Sequence, residues 1–100
     1  MDFDSPFSRW WRVSFSHDDP ALAKLGGRIR SARKKLGWSQ EQFADEAGLD
    51  RSYVGAIERG QRNISFLILC KIVEALNCDV AALTKSIPAP AAKVEATRKA

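Results

Sequence analysis

Three consecutive residues, Arg51, Ser52 and Tyr53, carry the side chains of this chain that are best suited to reading a nucleic acid. A guanidinium group can donate two hydrogen bonds to O6 and N7 of guanine, which distinguishes that base from the others. Ser52 and Tyr53 can donate hydrogen bonds to bases or phosphates. Arg51 could instead be a solubilising residue, but a cation opposes the dipole at a helix N-terminus, and its position there indicates a function.

The residues 40–59 around this triplet predict two short helices joined at Gly48, which suits the left-handed backbone that ends a helix. Two helices that cross closely need small or apolar residues at the contact. Such residues recur at Phe43, Ala44, Ala47, Leu49, Val54 and Ile57. The pattern predicts a helix-turn-helix whose second helix, residues 51–59, would enter the major groove of DNA.

The length and charge of the chain are consistent with one small DNA-binding domain. The chain has 100 residues and a formal net charge of +4. Its basic residues cluster, since the stretch from Lys24 to Lys35 contains Lys24, Arg28, Arg30, Arg33, Lys34 and Lys35 and no acid. Such a run can be an ordinary solvated helix face, but beside a helix-turn-helix it favours a surface that faces phosphates.

The cysteines and the histidine indicate neither a metal site nor a disulfide scaffold. Cys70 and Cys78 lack the spacing of metal ligands, and His17 lies in the N-terminal segment. We therefore expect no metal and no cofactor. Unpaired thiols, the lack of a membrane-length apolar run and acids near the N-terminus predict a cytoplasmic protein.

The chain divides into an N-terminal aromatic segment (1–19), a folded domain (20–86) and a flexible C-terminal segment (87–100). Five predicted helices of the domain begin after residues that suit an N-cap, and they predict an all-α bundle without strands. The predicted caps are Asp19, Ser39, Asp50, Ser65 and Asp79. Gln42 can complete a capping box with Ser39, and Gly48, Gly60 and Asn77 are predicted helix ends.

The aromatic residues of the N-terminal segment are Phe3, Phe7, Trp10, Trp11 and Phe15. They could lie over the surface of the domain itself. Alternatively, they could contact a second subunit or another protein, since exposed tryptophans tend to be buried by a partner.

Residues 25–83 resemble the phage-repressor-like (lambda-repressor-like, Cro-like), XRE-type family of helix-turn-helix DNA-binding domains. The most specific strings are WSQEQFA at 38–44, AGLDRSYV at 47–54 and IERGQRNIS at 57–65. Similar strings occur in the controller proteins of restriction–modification systems. The resemblance implies a compact five-helix domain that binds double-stranded DNA.

The resemblance also implies roles for single residues. The family residue that matches Gln40 binds a phosphate at the start of the second helix, where free N–H groups and the helix dipole favour an anion. Gln40 could otherwise be a plain surface residue. Family members pair an arginine of the first helix with a glutamate of the third, and these positions correspond to Arg33 and Glu58.

Position along the third helix predicts the remaining contacts to DNA. Gly55 and Ala56 are expected near its solvent side, where small residues permit close approach and Ala56 could touch a thymine methyl group. Arg59, Arg62 and Asn63 should contact the sugar–phosphate backbone and set the register of the helix. Arg62 and Asn63 could equally be ordinary loop residues.

The fourth predicted helix, FLILCKIVEAL, is apolar on nearly all sides. It therefore lies either at the centre of the bundle or in a homodimer interface. The residues expected to contribute to that interface are Phe66, Leu67, Leu69, Cys70 and Leu76.

These observations favour a transcriptional regulator that binds a partly palindromic operator as a dimer. The alternative is a protein-interaction module, an antitoxin or adaptor, that uses the same fold. An enzyme is the least favoured class, because the folded region has no histidine, no glycine-rich phosphate loop and no catalytic residues in a recognisable pattern.

Overall fold

The computed structural model describes residues 19–88, which form five helices and no strand. The helices are α1 (Pro20–Lys35), α2 (Gln40–Ala47), α3 (Arg51–Glu58), α4 (Phe66–Leu76) and α5 (Val80–Thr84). The predicted all-α class is confirmed. The aromatic residues of the N-terminal segment and residues 89–100 lie outside the described part of the chain.

Each helix begins directly after the residue that the sequence predicts as its N-cap, and each cap side chain accepts a backbone N–H. At α2 the capping box is complete. Ser39 Oγ accepts from the N–H of Gln42 at 3.0 Å, and Gln42 Oε1 accepts from the N–H of Ser39 at 2.8 Å. Gly48 ends α2 with φ 69°, and Asn77 ends α4 with φ 55°. The predicted end of α3 is one residue too late, since the helix ends at Glu58 and Arg59 is its C-cap.

The core draws one large, fully buried side chain from each of the first four helices: Ile29, Phe43, Val54 and Ile72. Leu83 of α5 is buried against the same cluster. Trp38 lies in the connection before α2 and stacks on Phe43, with 6.4 Å between ring centroids. Because α3 contributes Val54 and Ile57 to this core, its opposite side is left facing outwards.

Helix α4 presents two different faces, which corrects part of the expected dimer interface. Leu69 and Leu76 are only 8% and 5% exposed, so they belong to the core of the domain itself. Phe66 and Leu67 are 66% and 73% exposed, and Cys70 is half-buried. The residue types alone could not separate the two faces, because both are apolar.

Gly26 sets the distance between α1 and the end of α3. A methyl group at this position would lie 2.7 Å from the carbonyl oxygen of Glu58 and closer still to that of Ile57. Only a residue without a Cβ atom allows the backbone of α1 to approach α3 this closely. Within residues 19–88, no helix is long and apolar enough to cross a membrane.

Candidate nucleic-acid interface

The N-terminal end of α3 is open to solvent. Arg51 and Ser52 are exposed, whereas Ala44 of α2 is buried at 2% exposure and Leu49 of the turn is half-buried. The two helices therefore pack through small and apolar side chains, as a helix-turn-helix requires. The first turn of α3 is free to contact a large partner.

The cap of α3 changes the expected chemistry of Ser52. Asp50 Oδ2 accepts the backbone N–H of Ser52 at 3.0 Å and also accepts the Ser52 hydroxyl. The hydroxyl proton is thus directed to the cap, so Ser52 offers a base an acceptor instead of the expected donor and has no side-chain proton left for a phosphate. The hydrogen bond from the Ser52 side chain, helped by backbone N–H groups, lowers the pKa of Asp50 below its ordinary value of 3.8.

A shallow cavity of about 620 Å³ runs along the outer side of α3 and the loop that follows it. We call this the recognition surface. Its lining residues are Asp50, Ser52, Tyr53, Ala56, Arg59, Gln61 and Arg62. Asn63 is exposed just beyond this set.

Tyr53 and Arg62 are held together in the recognition surface. The Arg62 guanidinium lies over the Tyr53 ring, 5.6 Å from its centroid, in the geometry of a cation–π contact. Tyr53 is half-buried and packs against the core cluster. The Tyr53 ring therefore holds the Arg62 guanidinium in place. The sequence alone also allowed Arg62 to be an ordinary loop residue.

Gly55 is buried, which contradicts its expected place on the solvent side of α3. The side chains of Arg59 and Gln40 cover it. A Cβ atom there would meet Arg59 Nη1 at 3.2 Å and Gln40 Oε1 at 3.6 Å. Gly55 can therefore position these two side chains, but it is not itself accessible to DNA. Arg59 lies one turn further along the chain and Gln40 lies in α2. The position of Gly55 on its own helix could not predict that these side chains would bury it.

The expected pair of Arg33 and Glu58 is present and buried. Arg33 Nε donates to Glu58 Oε2 at 2.7 Å, and Arg33 Nη2 donates to Oε1 at 3.0 Å. Arg33 Nη1 also donates to the carbonyl oxygen of Trp38 at 2.8 Å. The two side chains are 9% and 2% exposed, so the pair fixes α3 against α1 in a region of low solvent access.

Gln40 belongs to this network as well, whereas the sequence indicated a side chain that points outwards. Its Nε2 donates to Glu58 Oε1 at 3.1 Å, and the residue is half-buried. The three side chains of Arg33, Glu58 and Gln40 therefore join α1, α3 and α2.

Sequence reasoning also missed Gln61, whose Oε1 accepts from Arg59 Nε at 3.0 Å. A glutamine two residues after an arginine is not a pattern that predicts a hydrogen bond between the two side chains.

Among residues 19–88, no three potential metal ligands come together. The arrangement is instead a pair of crossed helices that presents the polar first turn of the second helix. This geometry defines the helix-turn-helix class of protein.

The chain belongs to the helix-turn-helix family, whose sequence profile matches residues 29–83. It is similar to the control protein C.SmaI of Serratia marcescens, with 41% identity over 56 residues that cover 56% of this chain and 67% of that protein. It is also similar to the control protein C.MunI of Mycoplasma sp, with 38% identity over 65 residues, or 64% of this chain and 88% of that protein. The chain spans about half the length of a Neisseria meningitidis hypothetical transcription factor, at 44% identity.

Solved structures show the same likeness. The restriction-modification controller protein C.AhdI from Aeromonas hydrophila is 48% identical, with a TM-score of 0.61 over 62% of this chain and 94% of that one. The controller protein C.Esp1396I, solved as a tetramer in complex with its natural 35 base-pair operator, is 28% identical, with a TM-score of 0.64 over 71% of this chain and 93% of that one.

Proposed function

We propose that this protein is a cytoplasmic, non-enzymatic transcriptional regulator that binds a partly palindromic DNA operator as a homodimer. The observation that carries the proposal is the exposed polar first turn of α3. The other side of this helix packs in the core, and Glu58 near its end pairs with Arg33 of α1. Its similarity to control proteins, one of them solved with its operator, supports the same role.

In this proposal α3 enters the major groove and its parts have separate tasks. Arg51, which is exposed in the first turn of α3, reads a base, and Tyr53 and Ala56 of the recognition surface contact base edges. Ser52 accepts a hydrogen bond from a base. Arg59, Arg62 and Asn63 contact the backbone beside the groove, which positions the helix without reading sequence; they are all exposed in the described domain.

The dimer is proposed to form through the outer face of α4. Phe66 and Leu67 are among the most exposed large apolar side chains of the described residues, and Cys70 lies one turn further along the helix. A two-fold interface uses the same patch on both subunits, so this face would pack against its own copy. Two copies of α3 would then read two half-sites of one operator.

Arg51→Ala tests base reading. DNA selected from random sequence by the unaltered protein is expected to share a motif, and the variant is expected to lose preference at one base position of each half-site. The loss corresponds to about 1–3 kcal/mol of discrimination. Equal weakening on all sequences would make Arg51 a phosphate contact. Lys24→Ala, which removes an exposed cation of α1, is the control that should keep the preference.

Leu67→Glu tests the dimer. Burying a leucine contributes about 1.5–3 kcal/mol, and each interface contains the residue twice. We expect the variant to dissociate at concentrations at least a hundredfold higher than the unaltered protein in sedimentation equilibrium, and to lose operator affinity in parallel. Leu36→Glu is the matched control, because Leu36 is also an exposed leucine, 44% accessible, at the end of α1. A Leu67→Glu protein that remains dimeric would contradict this interface.

The alternative function is a protein-interaction module, an antitoxin or adaptor. The exposed pair Phe66 and Leu67 favours it, because such a patch also suits a different protein partner. A gel-shift measurement at increasing salt concentration distinguishes a DNA-binding regulator from a protein-interaction module. Binding to DNA through phosphates weakens steeply as salt rises, whereas a copurifying protein without any DNA shift establishes the alternative.

A further inference from the structure

A groove of about 600 Å³ runs between α1 and α5, and we call it the α1–α5 groove. Its volume is in the range of roughly 300–1,000 Å³ that is usual for sites of drug-sized molecules. A Cβ atom at Gly27 would meet no heavy atom within 4 Å among residues 19–88, so the groove has room for a bulky side chain there. Its floor consists of glycine, alanine and leucine residues, namely Ala23, Gly27, Ala32, Ala82 and Leu83.

Three cations, Lys24, Arg28 and Lys35, border this floor, and no acid is among the described residues that line the groove. Arg28 is half-buried, and its Nη1 donates to the carbonyl oxygen of Leu83 at 3.0 Å. Its guanidinium is therefore held between the two helices. A groove with an apolar floor and a fixed cation suits an aromatic ring, because the ring face attracts a cation.

The part of the N-terminal aromatic segment that precedes Asp19 has the matching chemistry. Its side chains carry three aspartates and two arginines, a formal charge of −1 (2 − 3) with the histidine neutral. It is also rich in aromatic residues, namely Phe3, Phe7, Trp10, Trp11 and Phe15. Residues 89–100 do not match, because they have no aromatic residue and a formal charge of +2 (3 − 1), the same sign as the groove.

The segment joins the domain beside the groove. Asp19 caps α1, and Ala23 at the near end of the groove lies about one helical turn further on. From Ala23 to Lys35 the groove extends about 18 Å along the helix. The stretch of chain from Trp11 to Asp19 spans about 26 Å when it is extended. Trp10 and Trp11 can therefore reach every part of the groove of their own domain.

We propose that Trp10 and Trp11 bind in the α1–α5 groove of their own chain. In this arrangement the indole rings pack on the alanine and leucine floor beside the Arg28 guanidinium, and the aspartates of the segment lie near the lysines of the border. The inference goes beyond the proposed DNA-binding function and does not depend on it. No described residue lines both the groove and the recognition surface, so the bound segment leaves the first turn of α3 open.

Photocrosslinking in the full chain tests the location. The photoreactive aromatic residue p-benzoylphenylalanine replaces Trp11, and unlabelled chains are unfolded and refolded together with chains that contain heavy nitrogen. After irradiation, mass spectrometry identifies each crosslinked peptide and its label. We expect crosslinks to peptides from α1 and α5, each joining two segments with the same label. The crosslink to α5 is the decisive one, because α5 is far from Trp11 in the sequence.

Ala82→Glu and Ala81→Glu are matched variants. Both alanines are exposed in α5, but only Ala82 lines the groove. The carboxylate of Ala82→Glu makes the floor polar and neutralises one of the bordering cations, so binding of the segment should weaken about fivefold. The yield of the α5 crosslink should fall by the same factor, whereas Ala81→Glu should stay within about twofold of the unaltered yield. Circular dichroism should show both variants folded.

Acrylamide quenching of tryptophan fluorescence measures the same binding without the photoreactive residue. Trp10 and Trp11 should become more accessible to acrylamide in Ala82→Glu and remain unchanged in Ala81→Glu. Trp38, which lies in the connection before α2 and stacks on Phe43, contributes equally to all three proteins.

Three results would overturn the proposal. Crosslinks that join segments of different label would place the tryptophans on a second copy of the chain. Crosslinks that avoid α5, including crosslinks to Phe66 and Leu67 on the outer face of α4, would exclude the groove. Equal quenching in Ala81→Glu and Ala82→Glu would show that the floor does not contact the tryptophans. These measurements contain no DNA, so their outcome is independent of whether the protein selects an operator.

Discussion

Replacing Glu58 with alanine is expected to lower the free energy of unfolding by about 3–5 kcal/mol. The substitution leaves Arg33 charged in a site where its side chain is 9% exposed, and it also removes the acceptor of Gln40. Domains of this size have total stabilities of roughly 5–15 kcal/mol, so a large part of the stability would be lost. The melting temperature should fall by at least about 12 °C, measured by circular dichroism.

Two further variants show whether the buried charge is the cause. Glu46→Ala removes an exposed carboxylate from α2 and should change stability by less than about 0.5 kcal/mol. The double variant Arg33→Met with Glu58→Leu should be more stable than Glu58→Ala, because it leaves no unpaired charge in the interior. A melting temperature for Glu58→Ala that equals that of Glu46→Ala would refute this account of the pair.

Gly26→Ala is expected to destabilise the domain by about 3 kcal/mol, the upper end of the usual cost of overpacking a core. The added methyl group would overlap the carbonyl oxygens of Ile57 and Glu58, which are backbone atoms and cannot move aside as a side chain can. To accept it, α1 must separate from the end of α3, and that separation also stretches the Arg33–Glu58 pair. Urea unfolding of the purified variant measures the loss.

The neighbouring glycine is the control for this prediction. A Cβ atom at Gly27 would have no heavy atom within 4 Å, and the residue is exposed in the middle of α1. Gly27→Ala should therefore stabilise the domain by about 0.5–1 kcal/mol, the difference in helix propensity. If both substitutions change the free energy of unfolding in the same direction, the close approach of the two backbones is not the reason for glycine at position 26.

Much of the fold could be predicted because its determinants are local. The five N-caps and the left-handed residues Gly48 and Asn77 act within three or four residues of themselves, so sequence alone places them. The same holds for the exposed position of Arg51, which follows a cap at the start of a helix. The resemblance to a known family supplied the Arg33–Glu58 pair, which lies across the fold.

The features that could not be predicted depend on contacts between helices. Gly55 is covered by side chains from α2 and from the end of α3, and the hydroxyl of Ser52 is turned to its own cap. Leu69 and Leu76 have the same character as Leu67, and only the packing of α4 against the other helices decides which face is inside. Gly26 gave no more sign of its role than Gly27.

The network of Gln40, Glu58 and Arg33 has a consequence for the thermodynamics of association. Because three helices are already joined by charged and amide groups in the unbound domain, we expect α3 to bind DNA without rearranging. The conformational entropy of α3 is lost when the domain folds, so binding to DNA does not carry that entropic cost again. Affinity should then respond strongly to counterions and weakly to osmolytes that favour compact states.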